Sequence, residues 1–516
     1  MNGAQALIRT LVDAGVDVCF MNPGTSEMHF VAALDAVPEM RGVLGLFEGV
    51  VTGAADGYAR MADRPAATLL HLGPGLGNGL ANLHNARKGK VPMVNVVGDH
   101  ATYHKQYDAQ LESDIETVAR NVSRWIRWSQ RPEDVAADAA DAVVAAFGPP
   151  GQVATLVLPA DVSWSEGAAP AAAKPLPSRR PVDSGVVDAV AAALRSGEPA
   201  ALFLGGAALR EDGLVAAGRV GATTAAKLLA ETFPTRIERG AGLPAVDRLG
   251  YLAEFAAMQL DGLAHLVIVD SKAPVSFFAY PDKASYLVPD GCQVHVLAAD
   301  DEDAIGALEA LAEAVGAPAG TAVQEAGRPD RPTGPLTAEG VARALGAAAG
   351  GGDRVRRGQH LRAVRRRSDR RRPRHDWLCL TGGAIGQGLP VAAGAAIACP
   401  DRPVVCLESD GSSLYTIQAL WTMAREGLDV TTVLCNNGSY AVLNMELNRV
   451  GAEPPGPKAQ EMLDLHRPDL DFVAVSTGLG VPATRATTGE ELSEQLERAI
   501  AEPGPHLIEA MVPPII

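Results

Sequence analysis

Residues Val404 to Gly427 read VVCLESDGSSLYTIQALWTMAREG, and the organisation of the whole chain unfolds from this stretch. An apolar run ends in Ser409-Asp410-Gly411-Ser412, and apolar residues then recur at Leu414, Ile417, Leu420 and Trp421. The spacing predicts a strand running straight into a helix, with Asp410 between them. That position is the anion-binding edge of an open parallel sheet, because unpaired amides and the helix dipole point outward there. The next apolar run, Thr431 to Leu434, ends in Asn436-Asn437-Gly438-Ser439 and brings further oxygen ligands to the same edge. Asp410 and Asn437, 27 residues apart, are placed to share a hard cation such as Mg²⁺, with a diphosphate completing its shell. Taken alone, Asp-Gly-Ser before a helix is more often an N-cap turn.

The same alternation of short apolar runs and helical segments extends through the chain. Val16 to Met21, Val43 to Phe47, Ala67 to Leu72 and Met93 to Val97 are strand-like, and so are Ala201 to Leu204, Leu266 to Val269 and Val294 to Leu297. Two stretches interrupt the rhythm. Ser163 to Pro181 carries Pro170, Pro175, Pro177 and Pro181 among alanines and charges, and Gly316 to Pro335 is similarly rich in Pro and Gly. Neither composition holds a helix or a sheet interior. The expectation is an α/β protein of three domains, 1–162, 183–315 and 336–516, each a mostly parallel sheet flanked by helices. A length of 516 residues allows about three domains of roughly 150 residues each.

Charge and cysteine usage exclude several classes. The formal net charge of −16 leaves no basic footprint for nucleic acid. The six cysteines are scattered without a CxxC spacing, as expected of buried thiols in a reducing compartment. Arg9, Asp13 and Asp17 interrupt any signal-peptide core, and no apolar stretch reaches about 18 residues. A cytoplasmic protein without a membrane span is expected.

Asp410-Gly411 with the strand-ending Asn436-Asn437 resembles the diphosphate and magnesium signature of thiamine-diphosphate enzymes, with Ser409 in place of a leading Gly. The resemblance extends to Asn22-Pro23-Gly24-Thr25-Ser26-Glu27, to Leu46-Phe47-Glu48-Gly49 and to Ala54 through Arg60. These look like the pyrimidine-binding domain of acetolactate synthase and benzoylformate decarboxylase. The three domains would then bind the pyrimidine, form a central unit and bind the diphosphate. The resemblance makes Glu48 the catalytic glutamate, whose carboxylate would stabilise the imino tautomer of the cofactor pyrimidine, with Leu46, Phe47 and Val50 as an apolar wall raising its pKa. It also implies cofactor contacts from Pro23, Gly24, Gly411, Ser412, Tyr440 and Leu443, and metal ligation by Asp410, Asn437 and Ser439. Gly382-Gly383-Ala384-Ile385-Gly386 resembles the loop that bends the cofactor, with the Gly383 carbonyl on the 4′-amino group and Ile385 wedged between the rings. A homo-oligomer follows, with active sites between subunits and Glu48 facing Asp410 across a dimer interface.

The implied reaction is thiamine-diphosphate- and Mg²⁺-dependent decarboxylation of a 2-oxo acid with carboligation. For an acetolactate synthase this means two pyruvate to acetolactate plus CO₂, in branched-chain amino acid biosynthesis. Gly73-Pro74-Gly75 with Asn78 resembles the synthases, whereas His71 falls where benzoylformate decarboxylase has an active-site histidine. A decarboxylase of that type and an inactive cofactor-binding homologue are the alternatives. Thr25, Asp99, Val442 and Glu446 are expected at the substrate end. Asp99 stands where synthases have Gln, Gln110-Leu111-Glu112 where they have Phe-Gln-Glu, and Ala279 where the decarboxylase has a second histidine. Acetolactate synthases also hold a non-redox FAD in the central domain, and Gly205-Gly206 after a strand is compatible with one.

One segment fits none of this. Residues 354 to 374, RVRRGQHLRAVRRRSDRRRPR, carry eleven Arg and one Asp, a local charge of +10 in a chain that is otherwise −26. A basic patch for an anionic partner is one reading and a solvated loop another. In the family this stretch is an apolar strand ending in an acidic, hydroxyl-bearing turn. One codon choice for Gly352 to His360, read one base later, gives Ala-Ile-Val-Phe-Asp-Glu-Ala-Ser-Thr. A local frameshift over residues 353–374, restored before His375-Asp376-Trp377, is the preferred reading.

Overall fold

The computed structural model describes residues 1–348, 355–357, 374–452 and 455–514. Apart from the backbone of 355–357 and from Arg374, the arginine-rich stretch and the frameshift read from it lie outside the described residues.

Three sheets follow one another along the chain. The first contains β1 (Val18–Asn22), β2 (Arg41–Leu44), β3 (Ala66–Leu70), β4 (Met93–Asp99), β5 (Ser123–Trp128) and β6 (Val153–Pro159), parallel and ordered β2-β1-β3-β4-β6-β5. β3, β4 and β6 are buried along their whole length, as strands covered by helices on both faces must be. The second sheet contains β7 (Ala200–Leu204), β8 (Lys227–Ala230), β10 (Asp247–Arg248), β11 (His265–Val269) and β12 (Gln293–Ala298), ordered β10-β8-β7-β11-β12. β9 (Arg236–Arg239) lies between them in sequence but leaves this sheet.

The third sheet, ordered β17-β18-β16-β15-β13-β14-β9, contains β13 (Val355–Arg357), β14 (His375–Leu378), β15 (Val404–Ser409), β16 (Val430–Asn436), β17 (Ala483–Ala486) and β18 (His506–Met511). Its edge is the antiparallel β9, donated by the middle of the chain, where Trp377 pairs with Ile237 and Arg236 reaches Asp376. Sequence periodicity did not anticipate this exchange, since pairing across about 140 residues leaves no local pattern.

The helix expected after β15 is two pieces, Asp410–Ser413 and Ala419–Glu426. Thr416 turns its hydroxyl onto the Gly386 carbonyl (2.6 Å), and Leu414 and Tyr415 between the pieces are exposed. Local hydrogen bonding to a neighbouring loop has overridden helical spacing. The first expected linker is helical at its start (Ala160–Trp164). It then runs without helix or strand to Ser184, tied down by Ala171 on Thr10 and by Arg180 beside Asp301.

The first and third sheets share one core through two crossing helices, Glu48–Ala62 and Gly388–Ala398. A Cβ at Gly57 would overlap the Val391 carbonyl and one at Gly394 the Ala54 carbonyl, so only glycine permits this approach. Beside the crossing, Arg60 forms a buried pair with Asp56 (2.6 Å) and donates to the Cys379 carbonyl (2.7 Å), while Gln387 donates to Asp56. The Asp56-to-Arg60 spacing thus fastens the first domain to the third. All six cysteines are free. Among the described residues no helix is long and apolar enough to cross a membrane.

Candidate active site

The carboxyl ends of β15 and β16 hold Asp410, which is buried. One carboxylate oxygen accepts from Gly411 N–H (2.8 Å), the other from the Asn437 (3.0 Å) and Gly438 (2.8 Å) amides. Burial raises the Asp410 pKa, and these amides pull it back. Asn437 accepts from Ser439 N–H (2.9 Å), and the Ser439 hydroxyl is held by Asn444 and the Leu463 carbonyl. Ser409 has an extended backbone (φ −118°), so glycine is not required there. Its hydroxyl meets that of Ser412 (3.0 Å), which in turn donates to Glu408. Gly411 accommodates the Tyr440 ring, which a Cβ would strike.

At the first sheet, Glu48 opens the helix after β2 and is buried. Asn78 Nδ2 donates to its Oε2 (3.0 Å). Of the expected apolar wall, Val50 is buried, Phe47 half-buried and Leu46 45% exposed, so the carboxylate is steadied by an amide as well as by apolar packing. Asn82 donates to the Gly49 carbonyl (2.7 Å) and lies 3.5 Å from that of Gly386. His84 and Asn85 hold the Gly382 and Ala384 carbonyls (3.1 and 2.9 Å). The Gly382–Gly386 loop is therefore pinned on both sides of Gly383, whose φ of +80° requires glycine and against which Phe277 packs. Ile385 in this loop is half-buried.

His71 follows β3 as the residue before the helix Leu72–Lys88, and Leu72 after it takes an uncommon positive φ of 51°. His71 Nδ1 lies 2.7 Å from Glu27 Oε2, which also accepts from Gly24 N–H (2.7 Å). The ring fills the space a Cβ at Gly24 would occupy. Burial raises the Glu27 carboxyl pKa, opposed by His71 and by Gly24 N–H.

The family model "Thiamine pyrophosphate enzyme, N-terminal TPP binding domain" matches residues 1–120, and "Thiamine pyrophosphate enzyme, C-terminal TPP binding domain" matches residues 356–510. The chain belongs to the thiamine pyrophosphate enzyme family. It is 60% identical, over all of both chains, to a Mycobacterium tuberculosis protein provisionally named acetolactate synthase large subunit IlvX. It is 31% identical to benzoylformate decarboxylase of Pseudomonas aeruginosa over 96% of each chain. The fold matches the thiamine diphosphate-dependent 4-hydroxybenzoylformate decarboxylase of Rhodococcus jostii RHA1, with TM-score 0.83 and 24% identity over 99% of each chain.

The family match supports thiamine diphosphate as cofactor, and the buried Glu48 carboxylate, the pinned Gly383 loop and the amide-lined Asp410 edge are chemically compatible with it. For a divalent cation, Asp410 and Asn437 supply hard oxygen donors. Among the described residues no three carboxylate, imidazole or thiolate groups converge on a point, so a cation at Asp410 would draw the rest of its shell from neutral oxygens such as that of Asn437, from water or from a phosphate.

The expected substrate residues are dispersed. Thr25 is exposed in a short turn, and Val442 is half-buried and Leu443 exposed on the Ala441–Arg449 helix. Asp99 ends β4 buried, with Lys105 Nζ at 2.9 Å, and Lys105 also reaches Glu112 (2.6 Å) and the Trp128 ring. Burial raises the Asp99 pKa against the pull of Lys105. Glu446 is buried and accepts from the Tyr280 hydroxyl (2.8 Å), with Arg449 over that ring (4.4 Å). Sequence reading gave no role to Glu27, Lys105, Asn82 or Tyr280. Glu27 was legible as an acid three residues after Gly24. Tyr280 gave no signal, being 166 residues from its partner.

Proposed function

We propose that the chain decarboxylates a 2-oxo acid with thiamine diphosphate and Mg²⁺ and joins the product to a second carbonyl, as an acetolactate synthase acting on pyruvate in branched-chain amino acid biosynthesis. The observation that carries the reading is the buried Glu48 carboxylate held by Asn78. Thiamine diphosphate, when bound, would supply a nucleophilic carbon and a sink for the electron pair left behind as the carboxylate leaves as CO₂. Glu48 would hold a proton at the pyrimidine ring nitrogen, and Asn78, donating to its Oε2, fixes the orientation of the carboxylate. Asp410, Asn437 and Ser439 would hold the cation, with Pro23, Gly24, Gly411, Ser412, Tyr440 and Leu443 around the cofactor. Thr25, Asp99, Val442 and Glu446, dispersed within one chain, would meet at the substrate end only where two copies join, with the Asp99–Lys105–Glu112 pairs holding the loop after β4.

The assembly we propose is a cytoplasmic homo-oligomer with sites between subunits. Leu46, Leu414, Tyr415 and Leu443 support it, since these exposed apolar side chains flank Glu48, Asp410 and Asn437, and a second copy would cover them. The His71–Glu27 pair favours a second reading. With Nδ1 turned to Glu27, the Nε2 of His71 is the ring nitrogen left to deliver a proton, and the product would then be an aldehyde.

Purified protein incubated with thiamine diphosphate, Mg²⁺ and either pyruvate or benzoylformate decides between them. Acetolactate from pyruvate supports the first reading, and benzaldehyde from benzoylformate the second. Cofactor binding without turnover of any 2-oxo acid overturns both in favour of an inactive homologue.

A further inference from the structure

The second sheet is built as open α/β nucleotide sites are built. The chain leaves β7 for β8 on one side and later returns to β11 on the other, so the topological switch point lies between β7 and β11. Ligands of such sheets bind outside the carboxyl ends at that point, with phosphate on the amides of the turn after the first strand. Here that turn is Gly205-Gly206-Ala207, which opens a short 3-10 segment, Gly206–Leu209.

The turn already holds an anion. Asp270, the residue after β11, is buried with a positive φ of 46°, and its Oδ2 accepts from Ala207 N–H (3.0 Å). Its carboxylate fills the space a Cβ at Gly206 would occupy, so the small residues make room for this side chain. Glu231, the residue after β8, faces Gly206 N–H and Ser271. Gly205 N–H is bonded to the Val269 carbonyl across the switch point (3.0 Å).

The cations at the crevice are also engaged. Lys90, from the first domain, lies 3.5 Å from Asp270 and 3.3 Å from Asp300. Arg179, from the linker, reaches Asp270 (3.2 Å) and the carbonyls of Asp300 and Glu302. Asp270 and Asp300 already engage Lys90 and Arg179 before any ligand arrives, and Glu231 adds a further acid, so a diphosphate would find these two cations taken and carboxyl oxygens in its place.

We infer that Asp270 and Glu231 take the place of a dinucleotide phosphate in the central domain, and that this enzyme holds no FAD there. The network instead clamps the first domain and the linker to the central sheet. The inference is independent of which product the active site forms.

The test uses the full-length protein, folded as judged by a cooperative thermal transition. Flavin content is read by absorbance and by fluorescence after heat release, followed by calorimetric titration with FAD and with ADP, which share the diphosphate. The expected result is a flavin-free protein that takes up neither nucleotide at the central crevice and whose turnover is unchanged by FAD. One flavin per chain, saturable FAD or ADP binding lost in an Ala207→Pro variant, which lacks the turn amide, or turnover that depends on FAD would overturn it. Flavin content is measurable whether or not any 2-oxo acid is consumed, so failure of the proposed reaction leaves this result readable.

Discussion

Glu48 is buried and Glu231 half-buried, and the structure gives the two carboxyls different work. Glu48 takes a hydrogen bond from Asn78, and replacing it by Gln keeps the shape while removing the charge. Glu48→Gln is expected to lower kcat by about 10²–10⁴-fold, the usual contribution of a positioned proton-transfer group. Cofactor affinity measured by titration should stay nearly unchanged, and an equal fall in both would make Glu48 a binding residue only. Glu231 is pushed up to about 7 by burial, against ~4.3 for a free glutamate. Because the folded state holds this proton more tightly, the associated stability is full below about pH 4 and is lost as pH rises through about 7. Denaturant melts of the wild type and Glu231→Gln should show the wild type losing ~3 kcal/mol relative to the variant between those limits. A pH-independent difference would mean that the carboxyl titrates as it does in water.

Two elements decide whether the site assembles. The crossing of helices Glu48–Ala62 and Gly388–Ala398 depends on Gly57 and Gly394, each against a carbonyl of the other helix. Gly394→Leu is expected to force the helices apart at a cost of about 1–3 kcal/mol or more. It should lower the thermal transition by several degrees, together with activity, because Glu48 and the Gly382–Gly386 loop ride on the two helices. A melting curve unchanged by Gly394→Leu would show that the contact is not tight. The other element is β13, an interior strand paired on one side with Val404–Cys406 and on the other with Asp376 and Trp377. Interior parallel strands read as apolar runs, whereas the sequence there is Val-Arg-Arg. Resequencing the gene across residues 353–374 should return a shifted frame encoding an apolar strand. Arg codons found again in independent clones would refute the frameshift.

For the whole molecule, the exposed Leu46, Leu414, Tyr415 and Leu443 are the side chains that the proposed assembly would cover. Sedimentation should give a dimer or larger species, with activity per chain falling as dilution releases monomers. Dialysis against EDTA should remove activity and cofactor together, with Mg²⁺ and thiamine diphosphate restoring both, since the proposed cation at Asp410 would be shared with the cofactor diphosphate. Retention of cofactor by metal-free protein would contradict this arrangement. The sequence by itself was enough for the α/β class with its mostly parallel sheets and for bringing Asp410 and Asn437 to one strand-end edge. Those features are local: strand alternation, turn residues and short motifs are written within a few tens of residues. Only the tertiary structure decided that β9 leaves the second sheet for the third, that the helix after Asp410 breaks at Thr416, that Glu446 is tied to Tyr280, and that Asp270 fills the Gly205-Gly206 turn. Each depends on groups far apart in sequence meeting through packing, where burying a polar group demands a partner and the chain fold alone determines which partner is near.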